Sequence, residues 1–385
     1  MREVLSEVCA QLVGHVHAGT TQLAERDLLV PVSHFVSRAR AAAELGLMRR
    51  LPLVVAHGSE LKAAGEFITL NVLGKALIVV RQSDGTVTTL LNMCRHRGGK
   101  VEQRERGSNR YFTCQYHGWS YDRDGGALKA VPFRECFEPI DAGAHGLVRL
   151  QTEERHGFIF VNLSGEAGPP LSEYLGPEVD RALGAWDLQR SVIVLAEQFA
   201  VRINWKLVMD GAIDTMHPQF LHPDGVGRLV ASNLGVFRQY GRHGQHFAAR
   251  SRLVAMVKAG EAIEAGWKYV GSNLVIYPNA MMIAAPDHVE FWTVWPTPDD
   301  PGACSIQLRF LARPEILDTA MRARIQKSWD ILVAAAQQED WPMERYIQEN
   351  STGTPHGTYR YGRNEVSCQH LHRQLNQDLG EYSGV

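Results

Sequence analysis

The stretch 94-CRHRGGKVEQRERGSNRYFTCQYHGWSYD-122 pairs Cys94 with His96 and, after a gap of seventeen residues, Cys114 with His117. Each pair offers one thiolate and one imidazole from a short loop. Zinc fingers commonly pair cysteine with cysteine and histidine with histidine, whereas here each loop carries one of each. That division suits a [2Fe–2S] cluster with one iron on two thiolates and the other on two imidazoles. Neutral imidazoles in place of anionic thiolates raise the reduction potential, so such a cluster accepts electrons more easily. Gly98, Gly99 and Gly118 let backbone approach the sulfurs and donate N–H bonds, and Tyr116 and Trp119 can shield the cluster and hydrogen-bond to it. A structural zinc site is the alternative use of the same residues.

A second constellation lies in 204-NWKLVMDGAIDTMHPQFLHPDG-225. Asp214 and His217 are three apart and share a helical face. His222 is five beyond His217, a step that a straight helix would rotate away. Pro218 lies between them and should distort the helix there, bringing both imidazoles to one point. Two histidines plus a carboxylate with open positions form the non-haem Fe(II) triad that activates O2. His217 and His222 are the metal candidates, against the alternative that they merely fill a core.

The elements that must hold these residues change along the chain. Residues 1–45 read as helix, with apolar residues every three to four positions until Pro31 breaks the pattern. From about 50 to 165, short β-rich runs such as KALIVVRQ and GFIFVNL are separated by SDG, RDGG and ERHG turns, the texture of small antiparallel sheets. The Gly/Pro/Ser-rich 164-SGEAGPPLS-172 looks like a link. Beyond it, long alternating runs mix with helical stretches at 205–222 and 315–349.

Composition excludes several classes. The 385 residues carry a net charge of −2 with no long basic run, which gives little support to nucleic-acid or membrane-surface binding. There is no apolar run long enough to span a bilayer, and the N-terminal stretch has no unbroken apolar h-region of a signal peptide. Cys9, Cys136, Cys304 and Cys368 lack framework spacing, which fits free thiols in a reducing, cytoplasmic setting. No Rossmann glycine fingerprint and no plant-type ferredoxin cysteine set is present. His370 and His372 have metal-like spacing and read as surface or interface residues.

CRHRG followed by CxYHGWxYD resembles the Rieske iron–sulfur motif in the form found in ring-hydroxylating oxygenases. NWK, then Asp, then D-x-x-H-x-x-x-x-H resembles the mononuclear-iron segment of the large, catalytic (alpha) subunits of Rieske non-haem iron oxygenases, the aromatic-ring-hydroxylating dioxygenases among them. The two motifs come in the family's order, and the resemblance covers roughly residues 50–385. Two departures stand in the second motif: the family often has Glu where Asp210 stands and Tyr where Met216 stands, which puts pocket shape in question rather than chemistry.

The resemblance implies an α+β protein. An N-terminal helical segment (1–45) packs on the catalytic domain, a Rieske all-β [2Fe–2S] domain follows (46–165), and a helix-grip, START-like antiparallel-sheet domain (166–385) holds mononuclear Fe(II). The segment 337-QQEDWPMERYIQ-348 resembles the family's C-terminal helix, which supplies the third iron ligand. A one-residue deletion around Pro342 makes that ligand Asp340, whereas strict spacing to Glu344 and Gln348 makes it Glu339. By the same resemblance, Asp214 bridges His117 of an adjacent protomer to His217. The cavity lining is expected from Val208, Met209, Ile213, Phe220, Leu221, Phe247, Asn273, Ile283, Phe291 and Trp329.

The implied activity uses O2 and electrons from NAD(P)H, delivered by a separate reductase and in some systems a ferredoxin, to hydroxylate an aromatic or polycyclic apolar substrate. Cis-dihydroxylation is the first expectation and monooxygenation or O/N-demethylation the second. A homotrimer, with or without small β subunits, is the implied assembly. Outside the enzyme class stands an electron carrier or START-like binding protein, against which the His217/His222/acid set argues.

Overall fold

A computed structural model describes residues 2–381. The chain divides into two compact units, one spanning Met48–Tyr174 and the other built from the segments before and after it.

The Met48–Tyr174 unit is all β. A five-stranded antiparallel sheet runs in the order Arg149–Leu150, Val87–Leu91, Lys75–Arg81, Glu66–Val72, Arg106–Ser108. A three-stranded sheet joins Thr152–Arg155, Phe158–Val161 and Leu53–His57, and another joins Tyr111–Thr113, Ser120–Asp122 and Leu128–Ala130. Strands such as KALIVVR are buried along most of their length rather than alternating, because both faces are covered. Phe67, Ile78, Val80, Leu90, Phe112 and Tyr121 form one cluster with Cys94, Cys114 and Trp119. Each fully buried large apolar side chain there contributes ~1.5–3 kcal/mol.

The other unit is organised on a seven-stranded antiparallel sheet. Its order is Val192–Val201, Asp300–Ala312, Val289–Thr297, Ala280–Ala284, Val270–Ile276, His243–Arg250, Val230–Tyr240. Register aligns His246, Asn273, Ile283, Glu290 and Phe310 in one row across five strands. Directly opposed residues share a face, so this row lies on one side of the sheet. The other side, reached through Val236, Phe247, Ala249 and Val270, packs on Leu5, Val8 and Leu12 of the Arg2–Ala18 helix and on Leu253 and Val257 of the Ser251–Lys258 helix.

The N-terminal segment is not one helix. It breaks at Gly19, whose φ of +63° an L side chain rarely adopts, and Leu28–Pro31 becomes a strand paired with Thr358–Tyr361 before helix resumes at Arg38–Arg50. The pairing partner lies more than 300 residues away, so periodicity within 1–45 carries no trace of it.

The Trp205–Ile213 helix is nearly all buried, which its run of apolar residues demands. Asn204 caps it by accepting from the Lys206 N–H at 2.9 Å, and its Nδ2 donates to the carbonyls of Phe35 and Pro301. Lys206 is fully buried with its Nζ 2.8 Å from Glu44 Oε2. Arg40 binds the other Glu44 oxygen at 2.8 Å, and Trp205 Nε1 donates to Oε2 at 2.9 Å. Burial pushes the Glu44 carboxyl up, but Lys206 and Arg40 outweigh it and hold the group below its ordinary range. A buried carboxylate so satisfied fixes where the helix sits.

That helix ends sooner than a mere proline kink requires. Asp214 is already extended (φ −77°, ψ 136°) and its side chain takes the N–H groups of Met216 (2.7 Å) and His217 (3.2 Å). Pro218 then starts a separate helical turn, Pro218–Leu221. Further on, Thr319–Ala335 and Trp341–Gly353 are joined through a π-helical turn at Ala336–Asp340.

Candidate metal centres and cavity

The candidate cluster ligands, Cys94, His96, Cys114 and His117, sit on two loops of matching build. Gly98 N–H donates to the Cys94 carbonyl and Gly118 N–H to the Cys114 carbonyl, each at 2.9 Å, and both glycines have positive φ (+78° and +72°). The second loop closes the hairpin between Tyr111–Thr113 and Ser120–Asp122, with Cys114 N–H donating to the Trp119 carbonyl at 2.9 Å. A Cβ on Gly99 would stand 3.5 Å from Cys114 Sγ, so backbone comes close to that sulfur. The Tyr121 hydroxyl lies 3.2 Å from Cys94 Sγ and accepts the Arg95 N–H at 2.9 Å.

The two histidine rings lie together at 4.7 Å between centroids, and Trp119 stacks on His96 at 5.1 Å. His96 Nδ1 is buried with no hydrogen-bond partner among the described residues. His117 is exposed, Arg97 reaches its Nε2 at 2.6 Å, and the Arg97 guanidinium lies 4.7 Å from the centre of the Tyr116 ring. Two buried thiols on one side, two adjoining imidazoles on the other and backbone wrapped around them fit a cluster of the mixed-ligand kind.

In the larger unit, His222 Nε2 is 2.9 Å and His217 Nε2 3.6 Å from Asp340 Oδ1. The ligand atoms of the three residues all lie within 4.8 Å of one another. Behind the site each imidazole is tied through its other nitrogen. His217 Nδ1 meets Asp214 Oδ2 at 3.0 Å, and His222 Nδ1 meets Glu339 Oε2 in a short contact. A carboxylate at Nδ1 keeps the proton there and turns the Nε2 lone pair toward the third ligand, the usual arrangement behind metal-bound histidines.

Glu339 and Asp340 therefore stand at different places: Asp340 on the converging face, Glu339 behind His222. The π turn sets this phase, because its wider winding rotates Asp340 relative to Glu344. Burial raises the Asp340 carboxyl above its ordinary range, although His222 and His217 pull it back in part. Asp214 goes the other way. Burial pushes it up, but the His217 hydrogen bond and the Met216 N–H outweigh that and hold it low.

A cavity of about 210 Å³ adjoins these residues. Of the expected lining, Val208, Ile213, Asn273 and Ile283 face it. Leu221 faces instead a second cavity of about 330 Å³ that His217 and Asp340 also line. Phe247 and Phe291 do not line the site. Each is one residue from a cavity-side neighbour, His246 or Glu290 and Trp292, so strand alternation sends it to the opposite face. Phe220 is 74% exposed on the Pro218–Leu221 turn. Met209 is buried in the helix packing, and Trp329 packs edge-on against Phe310 at 5.0 Å, both away from the cavity.

His246, Trp292, Trp341 and Glu344 line the cavity and were not foreseen. Trp341 and Glu344 adjoin Asp340 in the chain, so that neighbourhood was a usable signal; His246 and Trp292 needed the strand register. His372 also departs from expectation. It is 1% exposed, and its Nε2 lies 2.8 Å from Asp210 Oδ2, which also accepts from the Tyr361 hydroxyl at 2.6 Å. It is a buried brace beneath the Trp205–Ile213 helix, not a surface residue.

Comparison with known proteins matches residues 52–145 to the Rieske [2Fe-2S] domain and residues 183–381 to the ring hydroxylating alpha subunit catalytic domain. The N,N-dimethyl phenylurea N-demethylase subunit alpha of Sphingobium sp. (strain YBL2) is 38% identical over 166 residues, 42% of this chain and 36% of that protein. The chlorobenzene dioxygenase subunit alpha of Cupriavidus sp. (strain PS12) is 30% identical over 279 residues, 62% of each chain. This chain thus spans less than two thirds of either relative. A crystal structure of the quaternary ammonium Rieske monooxygenase CntA with an inhibitor superposes with a TM-score of 0.77, covering 91% of this chain and 96% of that one. At 18% identity that likeness is one of fold. The chain joins a Rieske domain to a catalytic domain of the kind that binds mononuclear non-haem iron. Among the described residues no helix is long and apolar enough to cross a membrane.

Proposed function

This chain belongs to the ring-hydroxylating alpha-subunit family, and on that premise we propose that it is the terminal component of an oxygenase acting on a small aromatic substrate. The observation that supports this reading most is the convergence of His217 Nε2, His222 Nε2 and Asp340 Oδ1 beside a largely apolar cavity. Bound there, iron would supply open positions where O2 and the reacting carbon meet, and the cluster would supply the electron.

The protein's own groups hold that chemistry in place. Asp214 and Glu339 fix the histidine tautomers from behind. In our reading Asp214 also links His217 to His117 of an adjacent protomer, a hydrogen-bonded route for the electron in a homotrimer. A reductase and, where used, a ferredoxin would bring the electrons from NAD(P)H. Val208, Ile213, Ile283 and Trp292 would hold the ring and keep water from it.

At about 210 Å³ the cavity exceeds the roughly 150 Å³ apolar cavity that holds benzene, and so favours a substituted single ring over a large polycycle. Cis-dihydroxylation is the first reading. Demethylation is the second, favoured by the 38% identity to a phenylurea N-demethylase subunit.

A single turnover of chemically reduced protein under ¹⁸O₂ with a panel of substituted arenes tests the proposal. Two labelled oxygens in the product support dihydroxylation; one, or release of formaldehyde, supports the second reading. No oxygenated product from any arene, with both iron centres loaded, overturns the proposal.

A further inference from the structure

The cavity wall is largely apolar; besides Asp214, His217, His222, Asp340 and Glu344 at one end and Thr215 and Ser272, its polar groups are His246 and Asn273. His246 and Asn273 are register partners on adjacent strands, so their side chains stand side by side on the same face, with Cβ atoms about 5 Å apart. His246 is 7% exposed, and among the described residues neither ring nitrogen has a hydrogen-bond partner. Asn273 donates through Nδ2 to the Ala212 carbonyl at 2.6 Å, which fixes the amide's orientation and leaves Oδ1 buried without a partner. Buried polar atoms are nearly always satisfied by protein, water or ligand. Nothing among the described residues satisfies these, and they border the site where a substrate would lie.

The backbone makes room for the imidazole. A Cβ at Gly235, on the next strand, would stand 2.3 Å from His246 Nε2, so glycine is needed there for the ring to lie where it does. Burial holds the imidazole's pKa down at about 4, with Asp214 pulling the other way, so the ring is neutral near pH 7. A neutral imidazole offers one N–H donor and one acceptor, and Asn273 Oδ1 adds a second acceptor. The pair therefore complements a neutral group with its own donor beside an acceptor. An anion would meet lone pairs at Asn273 with Asp214 and Asp340 close by, and a plain hydrocarbon would strip water from both residues and return nothing.

Resting on the oxygenase reading, we propose that His246 and Asn273 are a specificity-determining anchor that selects arenes carrying an N–H donor and a carbonyl on one edge, as in a primary benzamide. With that group on the wall, the ring is left to face His217, His222 and Asp340.

Three matched probes test the anchor. Benzamide has donor and acceptor on one edge, acetophenone only the carbonyl, isopropylbenzene neither. Binding is measured by calorimetry on iron-loaded protein without O2. His246→Leu and Asn273→Leu should each weaken benzamide about tenfold and leave isopropylbenzene within about twofold, with His246→Gln restoring most of the benzamide affinity. In the wild type, acetophenone should follow isopropylbenzene rather than benzamide. Parallel weakening of all three probes, no change with either substitution, or no binding of benzamide to the wild type overturns the anchor. The same samples, reduced and given O2, separate the two proposals. Selective binding with no oxygenated product sinks the oxygenase reading and keeps the anchor; product without selectivity sinks the anchor alone.

Discussion

Cys94 to Tyr121 carries the proposed cluster ligands, both turn glycines and the tyrosine at the sulfur within one continuous stretch of loop and hairpin. The proposed iron site is assembled otherwise. Its histidines come from a break between two helical turns, and 117 residues separate His222 from Glu339, beside the third ligand. Its cavity wall comes from strands in between. The first site depends on local backbone conformation. The second depends on the register of a seven-stranded sheet and on the phase of a π turn. Substitutions at the first should therefore act through local strain, and those at the second through the orientation of its ligands.

The largest effect is expected where the two sites are proposed to communicate. Asp214→Asn keeps an oxygen that can accept the Met216 N–H and so keeps the helix end, but it removes the charge behind His217. Turnover should fall about 10–100-fold with both metals retained, followed by product formation and iron analysis. Wild-type turnover would break the link between the sites. Glu339→Gln should cost less, about tenfold in iron affinity, because its side chain is partly exposed and Asp340 is untouched. A chelator competition reads this, and complete loss of iron would instead make Glu339 a ligand.

The smallest effect tests the cluster side. Gly118→Ala places a Cβ at φ +72° and 2.9 Å from Pro132 Cγ, which should destabilise the Met48–Tyr174 unit by about 1–2 kcal/mol. Thermal melting followed through the cluster's absorption should shift while iron at the second site stays. An unchanged melt would show that the loop has more freedom than its hydrogen bonds indicate.

This contrast also explains what could be read from residues alone. Cys94, His96, Cys114 and His117 lie in one window whose spacing and glycines are themselves the geometry. His217 and His222 were legible because Pro218 marks the break between them. The choice between Glu339 and Asp340 was not, since a π turn changes phase without any distinctive residue. Phe247 was placed in the cavity and His246 overlooked because parity along a strand has two solutions until its partners are known. The Leu28–Pro31 strand was hidden for a related reason, its partner being Thr358–Tyr361. His372 looked like a surface residue in QHLHR, and only the approach of Asp210 buries it.

The central claim is that one chain holds a cluster and a separate iron on His217, His222 and Asp340. Iron and chain concentration should be measured together in reconstituted wild-type protein and in Asp340→Ala, with the cluster followed by its visible spectrum. The account predicts about three iron atoms per wild-type chain and about two in Asp340→Ala, with the cluster spectrum unchanged. A ratio that stays near three in Asp340→Ala would contradict it.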